Sequence, residues 1–191
     1  MAYFIISSLK KNKTTKVLGV YDVISSVIAQ ESGFDAVWLS GLGLSTVNGV
    51  PDTSILTMSD ILKVASDIAG KIEIPLIVDC DSGFGDHNNV KYLVESYERH
   101  GISGICIEDK LFPKKNSFLE QDSLEDMFVF ATKIKMADKR RKSEDFLIIA
   151  RIESLIVNLG IDNAISRAQI YVESGADAIL ILSKKEIMMK Y

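Results

Sequence analysis

Charged side chains stand where apolar runs break off along this sequence, and their types define a narrow range of chemistry. Leu76–Val78 runs into Asp79-Cys80-Asp81, Gly104–Ile107 into Glu108-Asp109, and Phe146–Ala150 into Arg151, with Glu153 two residues on. Asp79 and Asp81 are two apart, so on an extended strand end both carboxylates face one way and Cys80 the other. Asp79, Asp81 and Glu108 gathered at one rim would repel strongly unless a cation held them. All three are hard oxygen donors, and neither histidine nor cysteine stands at metal-ligand spacing beside them. That set suits Mg²⁺, with Mn²⁺ possible, rather than zinc. Because Mg²⁺ keeps several waters, one aspartate would bind directly and the other carboxylates through water. Arg151 can clamp a carboxylate or phosphoryl group with paired hydrogen bonds. Ser40, Gly41 and Leu42, after the run Ala36–Leu39, read as a glycine-relieved turn whose N–H groups could cradle an anion. Beyond Glu108 the chain continues "DKLFPKKNS", where Lys114, Asn116 and Ser117 belong to a loop that faces either solvent or a ligand.

These residues need a frame that brings separate strand ends together. Short apolar runs at Val17–Tyr21, Ala36–Leu39, Leu76–Val78, Gly104–Ile107, Phe146–Ala150 and Ala178–Leu182 read as buried strands. Helical patterns fall between most of them, at Val23–Glu31, Ser59–Ala69, Asn89–Arg99, Leu124–Ala137 and Ile161–Glu173. Strands apolar throughout, separated by amphipathic helices, predict a parallel sheet covered by helices. The stretch from Gly41 to Thr57 reads as the one long non-helical connection. "ESGFDAVWL" at Glu31 recurs as "ESGADAILI" at Glu173 and more loosely as "RHGISGICI" at Arg99, each a helix end, a glycine cap and a new strand. A (β/α)₈ barrel or an open doubly wound sheet would both repeat such a unit. In a parallel barrel the active site lies at the C-terminal strand ends, where the charged residues fall. A barrel of this class takes about 250 residues, so the expectation is an α/β TIM-type barrel of which about six βα units are present, in a single domain spanning 1–191.

Composition narrows the classes further. Of 191 residues, 47% are hydrophobic and 25% charged, with a net charge of −4, which speaks against nucleic-acid binding. No apolar run approaches the ~20 residues that span a bilayer. The N-terminal "MAYFIISSLKKNK" is apolar first and basic second, the reverse of a secretory signal. Cys80 and Cys106 lie inside apolar runs and read as reduced thiols of a cytoplasmic protein. His87 and His100 lie near the two ends of one predicted helix, too far apart for a metal pair. The basic run Lys139–Lys142 reads as a solvated helix terminus.

The motifs together resemble the phosphoenolpyruvate mutase/isocitrate lyase superfamily. "EDKLFPKKNS" is similar to the mutase signature E-D-K-x-x-x-K-x-N-S, and "WLSGLG", "GVPD", "DCDSGFG", "ARIE" and "SKK" occur in the family's order between about Val20 and Lys185. The resemblance implies Mg²⁺-assisted interconversion of phosphoenolpyruvate and phosphonopyruvate. It implies Asp79 as the direct metal ligand and Asp81 and Glu108 as holders of metal-bound waters. Asp52 of "GVPD" would join that shell or sit beside the phosphoryl group. Ser40, Gly41 and Leu42 would bind substrate oxygens, Trp38 would wall the pocket and Arg151 would bind the anionic substrate. Lys114, Asn116 and Ser117 would lie on a gating loop, which places Asp52, Lys114, Asn116 and Arg151 among the catalytic groups. A homo-oligomer is implied for the full-length family member. Two departures stand out: Leu182 occupies the place of a family histidine, and the family's chains run longer. A phosphonopyruvate hydrolase is the nearest alternative, and a C–C lyase of the superfamily is disfavoured by the missing loop cysteine. An incomplete barrel acting only as a binding protein is the alternative of another class.

Overall fold

The computed structural model describes residues 14–117, 119 and 123–184. Twelve elements alternate along it. β1 (Val17–Val20) is followed by α1 (Val23–Glu31), and β2 (Ala36–Leu39) by α2 (Gly41–Val47) and α3 (Met58–Ala69). Then come β3 (Leu76–Asp79), α4 (His87–Arg99), β4 (Gly104–Glu108), α5 (Met127–Arg140), β5 (Leu147–Ile152), α6 (Gly160–Glu173) and β6 (Ala178–Ile181). All six strands pair in parallel in the order β1-β2-β3-β4-β5-β6. A doubly wound sheet reverses its order at a switch point. This one never does, so the six units are those of a (β/α)₈ TIM-type barrel. The N-terminal segment 1–13 and Lys185 of "SKK" lie outside the described residues.

The inner strands β2 to β5 bury both faces, which is why their runs carry no polar alternation, whereas the edge strands β1 and β6 keep Val17, Leu18 and Ile181 exposed. Val37, Leu39, Val78, Ile105, Ile107, Ile148 and Ala150 face the helices and meet Ile61, Ile68, Leu93, Phe130 and Tyr171. Ala36, Ile77, Cys106, Leu147 and Ile149 form a second, inner cluster with Trp38, Ala178 and Leu180. Cys80 belongs to the helix side and Cys106 to the interior; both thiols are free and buried. The repeated helix–glycine–strand junction is real in all three copies: Gly33, Gly101 and Gly175 have φ of 76°, 76° and 106°, the left-handed region that glycine enters without penalty.

Two expectations need correction. The Gly41–Thr57 connection begins with a helix, α2, despite two glycines in its sequence. Ser40 caps it by accepting a hydrogen bond from Gly43 N (3.1 Å), and Leu44 packs into the core. The run Lys139–Lys142 is not simply solvated: Arg140 reaches Glu95 at 2.6 Å, and Arg141 reaches Asp138 at 2.7 Å and Asp177 at 2.6 Å. Strands β3, β4 and β5 end at Asp79, Glu108 and Ile152, so Asp79, Glu108 and Arg151 stand at the strand ends where the sequence placed them. Among the described residues no helix is long and apolar enough to cross a membrane.

Candidate active site

The alternation that builds the inner cluster also aims the charged residues. On β3, β4 and β5, Ile77, Cys106 and Ile149 point inward, so Asp79, Glu108 and Arg151, two residues on, point inward one layer higher. Glu108 and Arg151 are register partners on β4 and β5, and Arg151 Nη2 lies 3.4 Å from Glu108 Oε2. Glu153 holds the Nε–Nη2 edge of the guanidinium, its Oε1 accepting from Arg151 Nε at 2.6 Å and lying 2.5 Å from Nη2. Arg151 is thereby fixed before any ligand arrives.

The turn after β3 brings the second aspartate to the same place by another route. Asp81 has φ 50°, so it is no longer on an extended strand. Its carboxylate nonetheless lands beside that of Asp79. Both flank Gly41 at the start of α2, where a Cβ would stand 3.3 Å from Asp81 Oδ1 and 3.6 Å from Asp79 Oδ2. Glycine at 41 leaves the carboxylates room, and this is the contribution of Gly41 to the site.

The loop after β4 folds back over these groups. Lys114 Nζ lies 2.8 Å from Asp52 Oδ1 and 2.6 Å from Asp81 Oδ1. Asn116 Nδ2 donates to Asp52 Oδ2 at 3.0 Å. Ser54, also at positive φ (58°), accepts from Lys114 N at 3.0 Å and donates to Asp81 Oδ2 at 3.4 Å. Ser117 Oγ accepts from Arg151 Nη2 at 2.9 Å. A cavity of about 220 Å³ results, lined by Trp38, Ser40, Leu42, Asp52, Asp79, Lys114, Asn116, Ser117, Arg151 and Leu182. Every lining residue except Leu182 is a candidate from the sequence. Gly41, Asp81 and Glu108 lie just beneath this wall.

Burial sets the electrostatics. It pushes the Glu108 carboxyl up to about 7, against the opposing pull of Arg151, Lys110 and Lys114. It pushes Asp81 up to about 6, against the pull of Lys114. Burial alone would lower the Lys114 ammonium, but Asp79, Asp81 and Glu108 outweigh it and hold the pKa above the usual lysine range. Five carboxylates (Asp52, Asp79, Asp81, Glu108 and Glu153) stand against three cations, Lys110, Lys114 and Arg151. Carboxylates outnumber cations here, and burial has already pushed Glu108 and Asp81 towards their neutral forms, a cost that a bound cation would relieve. Glu108 Oε1 is buried, accepts no hydrogen bond, and has Lys110 Nζ no nearer than 3.5 Å. Such an orphaned acceptor is what a metal or its water would satisfy. Among the described residues no three carboxylates close on one point as a ready cage. Asp79, Asp81 and Glu108 therefore do not converge as three direct ligands. They fit an ion that keeps part of its water shell, as Mg²⁺ does.

Two neighbours in sequence part company here. Asp109 follows Glu108 but turns to the helix side, where it is fully buried. Its Oδ2 accepts from Arg167 Nη1 (2.9 Å) and Tyr171 OH (3.0 Å), and its Oδ1 from Glu153 N (2.9 Å). Ser54, Lys110 and Glu153 are site neighbours that sequence reasoning left without a role. The lysine of "EDK" and the glutamate of "ARIE" were visible in the motifs, whereas nothing local marks Ser54.

A family model for phosphoenolpyruvate phosphomutase matches residues 6–188. The phosphoenolpyruvate phosphomutase of Tetrahymena pyriformis is 36% identical over 170 residues, covering 88% of this chain and 57% of its own length. The phosphonopyruvate hydrolase of Variovorax sp. (strain Pal2) is 40% identical over 183 residues, covering 94% of this chain and 63% of its own. A crystal structure of a phosphonopyruvate hydrolase complex with oxalate and Mg⁺⁺ superposes with a TM-score of 0.91 at 39% identity, covering 96% of this chain and 63% of that one. The chain thus spans roughly three-fifths of the length of these relatives. With strand-end carboxylates, a clamped arginine and a lysine–asparagine–serine loop all turned to one cavity, and a family match over nearly every residue, the chain belongs to the phosphoenolpyruvate phosphomutase family.

Proposed function

We propose that this chain is a phosphoenolpyruvate mutase-like isomerase that interconverts phosphoenolpyruvate and phosphonopyruvate. The observation that supports this reading best is the placement of Asn116 and Ser117 in the cavity wall, facing Asp52 and Arg151 rather than solvent. Residues 1–191 are read as one barrel domain of a cytoplasmic enzyme that is a homo-oligomer at full length.

The reaction breaks a P–O bond of the enol phosphate and forms a P–C bond at the neighbouring carbon, in the opposite direction for the reverse reaction. Its transition state is loose, with charge spread over the phosphoryl oxygens. Asp79, Asp81 and Glu108 would hold Mg²⁺, which when bound polarises the enolate and carboxylate oxygens as a Lewis acid. Arg151, immobilised by Glu153 and Glu108, offers donors to the anion without reorganising during the reaction. The Asn116 amide and the Ser117 hydroxyl supply neutral donors from the loop, and Lys114 balances Asp52 and Asp81. Ser40 and Leu42 close the cavity at the start of α2, and Trp38 forms its floor. The loop over the cavity keeps water from the phosphoryl group.

Phosphonopyruvate hydrolysis is the second reading. Leu182, apolar in a wall otherwise rich in donors, and the 40% identity to a hydrolase favour it. Incubation with phosphonopyruvate and Mg²⁺, followed by phosphorus NMR, separates the two. Phosphoenolpyruvate is the expected product. Inorganic phosphate would establish the hydrolase instead, and an unchanged spectrum would sink both.

A further inference from the structure

Lys110 has no part in the chemistry above, yet its side chain is only 3% exposed two residues beyond the end of β4. Fixing a lysine costs rotamer freedom, so its contacts must repay the ordering. Its Nζ donates to the Lys115 carbonyl at 3.0 Å and to Ser117 Oγ at 2.5 Å. Behind it lie Glu108 Oε1 at 3.5 Å and Glu153 Oε2 at 3.7 Å. The Lys110 backbone is bridged to Leu124, which ties the far end of the excursion to its beginning. The ammonium therefore sits on two strand-end carboxylates and holds two points of the loop.

Ser117 makes the arrangement chemically specific. Its oxygen accepts from Lys110 Nζ and also from Arg151 Nη2, at 2.5 and 2.9 Å. A hydroxyl has two acceptor lone pairs and one proton to donate. With both acceptor sites taken by cationic donors, only the proton remains, and Ser117 lines the cavity. Engaged lone pairs make this oxygen a poor nucleophile, and two adjacent cations strengthen its O–H as a donor.

We infer that Lys110 is a positioning residue, which latches the loop through the Lys115 carbonyl and Ser117 hydroxyl and so aims the Ser117 proton at an anionic oxygen of the substrate. The aiming rests on the anionic-substrate reading above; the latch does not. The full chain carrying Lys110→Met, which keeps the aliphatic stem and removes the donors, is compared with the unaltered chain by hydrogen exchange without ligand. Amides of residues 111–117 are expected to exchange about tenfold faster or more, as they do on loss of contacts that hold a local segment. Ser117→Ala, which removes one oxygen from a cavity wall and leaves the core intact, is expected to speed the same amides and carries the comparison if Lys110→Met does not fold. Unchanged exchange at 111–117 in the folded variants overturns the latch. For the aiming, oxalate with Mg²⁺ is titrated calorimetrically into both single variants and the double variant. The double is expected to lose no more affinity than Ser117→Ala alone, because Lys110 acts through that hydroxyl. Additive losses overturn the positioning role. Failure of the unaltered chain to bind oxalate removes the anion reading and the aiming with it, while the exchange comparison still decides the latch.

Discussion

Arg167→Met is expected to destabilise the fold strongly while sparing the metal site. Arg167 Nη1 donates to Asp109 Oδ2 at 2.9 Å, and both terminal nitrogens donate to the Glu125 carbonyl at 3.1 Å. The two side chains are 7% and 0% exposed, so solvent does not screen the pair. Removing one partner of such a pair costs about 3–5 kcal/mol, because the other charge stays buried without compensation. Asp109 keeps two donors in the variant, Glu153 N at 2.9 Å and Tyr171 OH at 3.0 Å. That places the loss near the lower end, about 3 kcal/mol, or roughly 6–12 °C in melting temperature for a chain of this size. Urea unfolding of Arg167→Met, Asp109→Asn and the double variant gives the coupling. Asp109→Asn alone strands the guanidinium, whereas the double variant leaves a neutral, hydrogen-bonded side chain. Its loss should therefore fall about 1–3 kcal/mol short of the sum of the single losses. Additive losses would falsify the buried-pair account, and a fall in Mg²⁺ affinity in folded Asp109→Asn would show that Asp109 belongs to the site after all.

Further outcomes follow from other parts of the molecule. Asp79→Ala should abolish calorimetric Mg²⁺ binding and Asp81→Ala should weaken it less; an unchanged affinity in Asp79→Ala would remove that residue from the metal site. Gly104→Ala puts a Cβ 2.6 Å from Leu147 Cβ and 2.7 Å from its carbonyl oxygen, so β4 and β5 must part. The expected cost is about 1–3 kcal/mol in urea unfolding, and a neutral result would mean that the sheet yields there without penalty. Asp60 closes a capping box with Thr57 at the start of α3, and the hydrogen bonds from the Thr57 hydroxyl and backbone hold its carboxyl below the usual range. A folded pKa below the unfolded one gives stability that is present above about pH 4 and lost as pH falls through the depressed value. Asp60→Asn should flatten that part of the pH–stability curve, and identical curves would exclude the contribution.

Much of the architecture was legible because it is written in short-range patterns. Apolar runs, helical periodicities and glycine caps each act over a few residues. Strand alternation carries the inward direction of Ile77 on to Asp79 and that of Ile149 on to Arg151. Local pattern was a poorer guide at α2, where two glycines weaken the helical signal and the Ser40 cap with Leu44 burial restores the helix. Long-range closure decided the rest. Asn116 meets Asp52 across 64 residues and the Lys114 amide meets Ser54 across 60, contacts that no local periodicity encodes. Glu108 and Asp109 are the plainest case. The sequence reading placed Glu108 in the metal set and gave Asp109 no role, and a chain leaving a strand must send successive side chains to opposite sides. One enters the cavity beside Arg151, and the other is held by an arginine 58 residues away on α6. The sequence by itself determined that charge collects at the strand ends; only the tertiary structure decided which charges meet, because each pairing depends on which distant cation the curled sheet and its helices bring within reach.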